Sequence, residues 1–100
     1  MEWKKFQQYV EDFCEEKGFD EVSDEERYLF FMSEVGEMAQ EMLNYRYTES
    51  LEKKAEMKQA LSHEIFDVIW NAVEIANRYE IDLTEAFSEK MEINRKRTWS

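Results

Sequence analysis

Two pairs of acidic residues, Glu34-x-x-Glu37 and Glu64-x-x-Asp67, have the spacing that brings side chains together on a helix. Residues three apart on an α-helix lie on one face and roughly 4.5 Å apart along the axis, so each pair can direct two carboxylates at one point. Two such helices packed side by side would gather four carboxylates, whose mutual repulsion a divalent cation would relieve. Because oxygen ligands suit hard ions, the pairs predict a site for Mg²⁺, with Mn²⁺ as an alternative.

The surroundings of the pairs distinguish them from ordinary solvated helix faces. A chain with 24 acidic residues produces such pairs by chance, and a solvated face is the alternative for either pair alone. Here, however, apolar residues 30–32 precede Glu34, and apolar residues flank Asp67 on both sides. We therefore expect these carboxylates near a core, where burial without a cation is costly.

A polar and basic face follows near the end of the chain. Lys90, Asn94 and Arg97 recur at i, i+4 and i+7, and residues 90–100 carry four cationic side chains against one carboxylate. Such a face could bind an anionic group, although cations near a helix C-terminus are also favourable without any ligand. Asn71 lies seven residues after Glu64, which places it on the acidic face of the same helix.

Composition limits the fold and the class of protein. The chain has 100 residues, 43% of them hydrophobic, and contains two Gly and no Pro, which predicts a single all-α domain over residues 1–100. The single cysteine, Cys14, cannot form an intrachain disulfide, and no apolar run has the length of a signal core or a membrane span. We expect a cytoplasmic protein with no membrane partner. The net charge of −11 argues against a nucleic-acid partner bound through a general basic surface.

Apolar periodicity and capping signals predict four helices. The first covers residues 3–17 and ends at Gly18, and the second opens at a capping box formed by Ser23 and Glu26. The polar stretch 44–54 is expected to be a loop, with Thr48 or Ser50 as the cap of a third helix that runs to about residue 79. Asp82 and Glu85 form a second capping box that opens the fourth helix. The apolar face of the third helix is predicted to consist of Leu61, Ile65, Val68, Ile69, Ala72 and Ile75.

Three ordered blocks of this sequence resemble the MazG-type all-α nucleoside triphosphate pyrophosphohydrolases, and most closely their small dCTP pyrophosphatase branch. The blocks are Ser-Glu-Val-Gly-Glu-Met-Ala at 33–39, Glu-Ile-Phe-Asp-Val-Ile at 64–69 and Lys-Met-Glu-Ile-Asn-Arg-Lys-Arg at 90–97. The resemblance spans nearly the whole chain. It implies a four-helix MazG-like bundle completed by assembly into a homodimer or a homotetramer.

The resemblance also implies a reaction. A (deoxy)nucleoside triphosphate substrate would be hydrolysed between its α and β phosphates to the monophosphate and pyrophosphate, with Mg²⁺ as the cofactor. One of two carboxylates, Glu37 or Glu34, would act as the general base. The metal ligands would be Glu34, Glu37, Glu64 and Asp67, and the phosphate contacts Lys90, Asn94, Arg97 and Asn71.

The residues that recognise the base in this family match this sequence less closely than the metal ligands do. The residues at the matching positions, the turn between helices 1 and 2 and the end of helix 2, are Phe19, Asn44 and Tyr45. The base itself cannot be assigned from them. Ser33 stands where many relatives have Glu, which argues against the phosphoribosyl-ATP branch. Candidates for stacking on a base are Tyr45, Tyr47 and Trp99.

Two other classes of protein compete with this interpretation. The strongly negative charge would also suit a non-catalytic acidic helical binding module or a DNA mimic. A carboxylate-bridged di-iron bundle is a further alternative, but such sites usually use Glu-x-x-His ligands. The pair in the third helix is Glu64 and Asp67, which favours an oxygen-only site.

Overall fold

The computed structural model describes residues 2–98, and these residues form helices and turns without a β-strand. Four α-helices follow one another, with one 3₁₀ turn at Phe19–Glu21 between the first two. The all-α prediction is confirmed, while Trp99 lies outside the described residues. None of the helices described is long and apolar enough to cross a membrane. The helices are α1 (Trp3–Lys17), α2 (Asp24–Tyr47), α3 (Leu51–Arg78) and α4 (Leu83–Lys96).

The helix ends match the capping signals of the sequence. Gly18 closes α1 with a left-handed backbone, φ 76°, which glycine adopts without a Cβ clash. The Ser23 hydroxyl accepts a hydrogen bond from the Glu26 N–H at 3.1 Å and opens α2. The Asp82 carboxylate accepts from the Thr84 N–H at 2.8 Å and opens α4. Each of these bonds uses an N–H that has no partner within its own helix.

The prediction of a loop over residues 44–54 is wrong, because α2 continues to Tyr47 and α3 begins at Leu51. Polar residues such as Glu, Lys and Arg are good helix formers, so a polar stretch need not be a loop. Both predicted cap residues stand at helix ends. The Thr48 hydroxyl donates to the Asn44 carbonyl at 2.6 Å, and the Ser50 hydroxyl accepts from the Lys53 N–H at 3.3 Å.

The chain divides into two compact units, so the prediction of a single domain over residues 1–100 stays a prediction. The first unit joins residues 2–20 to residues 73–98. Gln7 connects three parts of this unit. Its Nε2 donates to the Asn77 Oδ1 at 2.9 Å, and its Oε1 accepts from the Leu83 N–H at 3.0 Å. The side chain thereby ties α1 to the end of α3 and the start of α4. The buried apolar residues of the first unit are Val10, Cys14, Val73 and Ala76.

The second unit, residues 21–72, consists of the 3₁₀ turn, α2 and most of α3. The packed face of α3 differs from the predicted one. On the predicted apolar face, Ala72 is exposed and Ile65 and Ile69 are each 42% exposed. By contrast, Asn71 is 6% exposed, and Glu64 and Asp67 are half-buried. The polar face of α3 is therefore turned inward, and part of its apolar face is left uncovered.

Candidate metal centre

The acidic pairs lie midway along the packed pair of helices α2 and α3. At one end of this pair, Arg27 donates a hydrogen bond to Asn71. At the other end, the Lys54 ammonium lies 5.1 Å from the centroid of the Tyr45 ring. The two helices therefore run antiparallel, joined by a turn of three residues, 48–50. This arrangement brings the middle of α2 beside the middle of α3, where the two acidic pairs are placed.

Three of the four predicted metal ligands come together in this unit. Glu34, Glu37 and Glu64 each offer one carboxylate oxygen, and these oxygens all lie within 4.8 Å of one another. Glu34 and Glu64 are half-buried and Glu37 is exposed. Asp67 is not a member of this group of three, but its charge acts on both Glu34 and Glu64. The spacing of the pairs in the sequence thus corresponds to a cluster in space.

The cluster changes the acidity of its own members. Burial raises the pKa of Glu34 to about 7, with further contributions from a hydrogen bond to Glu37 and from the charges of Glu37, Asp67 and Glu64. The pKa of Glu64 is also raised, chiefly by burial and next by the negative charge of Glu37. Both effects disfavour the ionised form. Without a cation, the cluster therefore holds a proton under conditions where separate carboxylates would be fully ionised.

The donor atoms fit a hard divalent cation. Oε2 of Glu34 and Oε2 of Glu64 are both buried, and neither has a hydrogen-bond partner within the described residues. A buried carboxylate oxygen without a partner is costly, and a cation is one of the few groups that can satisfy several such oxygens at once. Since every donor in the cluster is a carboxylate oxygen, Mg²⁺ and Mn²⁺ match it better than softer metals do.

Asn71 is engaged within the protein. Its Oδ1 accepts a hydrogen bond from Nη1 of Arg27 at 2.7 Å, and its Nδ2 donates to the Asp67 carbonyl, also at 2.7 Å. Contact between Asn71 and a phosphate stays a prediction. Arg27 was not identified in the sequence, although a signal existed: it lies seven residues before Glu34, on the same face of α2.

The predicted phosphate contacts of α4 belong to the first unit, whereas the carboxylate cluster belongs to the second. Lys90 and Arg97 are exposed, and Arg97 is the residue that caps the C-terminus of α4. Asn94 is half-buried, and its Oδ1 is buried without a hydrogen-bond partner among residues 2–98. A joint role of these side chains in binding phosphate stays a prediction.

A surface cavity of about 550 Å³ lies at the end of α2 within the second unit. Of the three residues predicted to contact a base, only Asn44 lines it. Phe19 belongs to the first unit, where its ring lies 6.1 Å from the Phe13 ring. Tyr47, a predicted candidate for stacking on a base, also lines the cavity, whereas Gln40, Leu43 and Met57 were not singled out in the sequence. The cavity is lined by Gln40, Leu43, Asn44, Tyr47, Thr48 and Met57.

Comparison with known proteins gives one informative similarity. No protein-family model matches the chain, and no solved structure is significantly similar to it. The chain is 31% identical over 99 residues to the uncharacterized protein YvdC of Bacillus subtilis (strain 168), a match that covers 91% of this chain and 93% of YvdC. An identity of this level over nearly the full length of both chains indicates common descent, and this chain therefore belongs to the same family as YvdC.

Proposed function

We propose that this protein is a metal-dependent pyrophosphohydrolase that cleaves a (deoxy)nucleoside triphosphate to the monophosphate and pyrophosphate. The observation that carries the proposal is the cluster of Glu34, Glu37 and Glu64, with two buried carboxylate oxygens that lack a partner in the described chain. The resemblance of three sequence blocks to MazG-type enzymes supplies the reaction. A role in removing unwanted nucleotides from the cytoplasmic pool would suit such an activity.

In this proposal, Glu34, Glu37, Glu64 and Asp67 hold Mg²⁺. When bound, the ion would offset the charge of the triphosphate and activate water for attack. Water attacks the α phosphorus, the bond from that phosphorus to the oxygen bridging it to the β phosphorus breaks, and pyrophosphate leaves. Glu37 is the exposed member of the cluster, so its carboxylate is the most accessible acceptor for the proton of the attacking water.

Substrate binding would use residues outside the cluster. Lys90 and Arg97, exposed cations at the end of α4, would offset the charge of the departing pyrophosphate, and the Asn94 amide would donate a hydrogen bond to it. The cavity at the end of α2 offers a place for the base, next to Asn44 and Tyr47. Asn44 has both a donor and an acceptor with which to contact the edge of a base.

The active form would be a homodimer or a homotetramer. Large apolar side chains remain uncovered on both helices that carry the cluster: Leu29 is 66% exposed, Phe30 53% and Ile65 42%. Apolar surface of this extent is typical of a face that packs against another chain. Burial of these side chains in an assembly would also support the helices that position the carboxylates.

Product analysis tests the reaction directly. The purified protein would be incubated with Mg²⁺ and each common or modified nucleoside triphosphate, and the products separated by anion-exchange chromatography. We expect monophosphate and pyrophosphate in equal amounts from at least one substrate, and no turnover in excess EDTA. Release of orthophosphate with a diphosphate, or turnover that persists in EDTA, would refute the proposal.

The alternative of a non-catalytic acidic binding module rests on the net charge of −11. It predicts no turnover of any triphosphate. It also predicts that the protein competes with DNA for a basic DNA-binding protein, and that the competition weakens as salt is raised. This pair of results would replace the enzymatic proposal with a DNA-mimic function.

A further inference from the structure

Arg27 occupies an unfavourable position that its own helix does not explain. It lies in the first turn of α2, where the helix dipole disfavours a positive charge, and it is only 6% exposed. Removing a guanidinium from water is costly unless its new contacts compensate. The burial of Arg27 therefore suggests that its contacts with neighbouring side chains have a role.

The side chain of Arg27 is fixed by contacts with both helices. Its guanidinium carbon lies 5.6 Å from the ring centroid of Phe30 and 5.7 Å from that of Trp70. These distances are typical of cation–π contacts. From this position its Nη1 donates the buried hydrogen bond of 2.7 Å to Oδ1 of Asn71. The guanidinium thus lies close to two aromatic rings and donates to the Asn71 amide oxygen.

The hydrogen bond from Arg27 decides which way the Asn71 amide faces. A guanidinium has only donors, so it must meet the amide oxygen and not the amide nitrogen. The nitrogen then faces the opposite direction, where it donates to the carbonyl of Asp67 at 2.7 Å. In an α-helix, the same carbonyl also accepts the backbone N–H of Asn71. The turn of α3 between Asp67 and Asn71 is thereby held by two hydrogen bonds.

We infer that Arg27 is a positioning residue for the metal centre, acting through Asn71 on the turn of α3 that carries Asp67. The inference rests on the proposed function only in taking Asp67 as a metal ligand. Without a cation, the charges of Glu34, Glu64 and Asp67 repel one another, which favours movement of the α3 turn away from the cluster. The Arg27–Asn71–Asp67 chain of hydrogen bonds opposes that movement before the cation arrives.

Titration with Mn²⁺, followed by electron paramagnetic resonance on the full chain without nucleotide, tests the inference. Arg27→Met keeps an unbranched side chain beside Phe30 and Trp70 but removes the donor, and we expect it to weaken Mn²⁺ binding about tenfold. Arg27→Gln restores an N–H donor and should recover most of that loss. Asn71→Ala should match Arg27→Met, and the double variant should bind no more weakly than either single variant, because both remove the same link.

A matched control separates positioning from general stability. Arg78 also lies on α3, where its Nε donates to the Glu74 carboxylate at 2.7 Å and its Nη2 to the Phe19 carbonyl, all within the first unit. Arg78→Met should lower the free energy of unfolding but leave Mn²⁺ affinity within twofold. Equal loss of affinity in Arg27→Met and Arg78→Met would overturn the inference. So would unchanged Mn²⁺ affinity in Asn71→Ala, the variant that remains decisive if Arg27→Met does not fold.

The readout also separates this inference from the proposed function. Wild-type protein that binds Mn²⁺ but turns over no triphosphate would refute the enzyme and leave the positioning role supported by the variants. Full turnover together with unchanged Mn²⁺ affinity in all the variants would refute only the positioning role. Wild-type protein that binds no Mn²⁺ would refute both.

Discussion

The carboxyl group of Glu34 makes the carboxylate cluster sensitive to pH. Its pKa is raised to about 7, chiefly by burial and then by its neighbours Glu37, Asp67 and Glu64. A carboxylate with a raised pKa binds more protons in the folded state than in the unfolded state between its two pKa values. This residue therefore lowers the free energy of unfolding as pH rises from about 4.5 to about 7. The effect is complete above pH 7, where the ionised carboxylate stays among like charges.

The sign of this effect predicts an unusual variant. In EDTA at pH 8, Glu34→Gln should raise the free energy of unfolding by on the order of 1 kcal/mol, after allowance for solvent screening. The difference should be much smaller at pH 5, close to the lower end of the range, and it can be measured by urea denaturation at both values. In Mg²⁺ the order should reverse, since only the wild type gains stability from the ion. A variant less stable than the wild type in EDTA at pH 8 would contradict this account of the cluster.

The sequence alone identifies the carboxylates of the cluster, but not the residues that hydrogen-bond beside them. Three of the residues predicted from spacing, Glu34, Glu37 and Glu64, lie together, because i and i+3 share a face in any helix. The link from Arg27 to Asn71 joins residues 44 positions apart. Helical periodicity gives no information on which residue of one helix meets which residue of another, so a pair of this kind requires a structure.

Between residue and fold, the two glycines of the chain occupy opposite kinds of position. Gly18 has a φ of 76° at the end of α1, whereas Gly36 lies inside α2, where an added Cβ would meet no heavy atom within 4 Å. We expect Gly18→Ala to lower the free energy of unfolding by about 1 kcal/mol, because a Cβ disfavours the left-handed backbone. Gly36→Ala should raise it by about 1 kcal/mol, since alanine is the better helix former.

Urea denaturation of the two variants measures this contrast, with the wild type as reference. Because Gly36 lies between Glu34 and Glu37, the stability of Gly36→Ala also reports on the surroundings of the cluster in solution. A position without a side chain there could admit a neighbouring helix or a ligand, and a tolerated packing glycine is the alternative. If Gly36→Ala destabilises the protein, another chain or a ligand packs against this face in solution.

The sequence predicts a helix boundary correctly wherever a residue caps the helix through its own backbone or side chain. Gly18, Ser23 and Asp82 each mark a helix end through a backbone requirement that is local. The connection between α2 and α3 is shorter than the predicted loop over residues 44–54, because polar residues such as Glu and Lys are also good helix formers. The caps Thr48 and Ser50 were better indicators than the composition around them.

Considered as a whole molecule, the chain leaves much apolar surface uncovered. Among the residues described, the buried hydrophobic ones are Val10, Cys14, Val73 and Ala76, while many large apolar side chains are exposed. A hydrophobic content of 43% predicts that a core exists, but it does not say whether one chain or several complete it. The sequence could therefore indicate self-association without identifying the face involved.

Association can be tested on α2, one of the two helices that carry the cluster. Light scattering at micromolar concentration should give the mass of a dimer or a tetramer for the wild type. Leu29→Asp, at a side chain 66% exposed on α2, should shift the mass toward the monomer, because a buried charge without a partner opposes assembly. Tyr9→Asp, at a side chain 65% exposed on α1, serves as the control and should leave the mass unchanged. A monomeric wild type would rule out the proposed assembly.

The central claim is that the carboxylate cluster performs hydrolysis with a divalent cation. Its most direct test is the Mg²⁺-dependent release of pyrophosphate from the best triphosphate substrate, compared between Glu37→Gln and Glu41→Gln. Glu41 lies one turn beyond Glu37 on α2 and is not a member of the cluster. We expect Glu37→Gln to lower kcat by at least about a hundredfold with its helical content intact, and Glu41→Gln to stay within about twofold of the wild type. Pyrophosphate release by Glu37→Gln at the wild-type rate would contradict the claim.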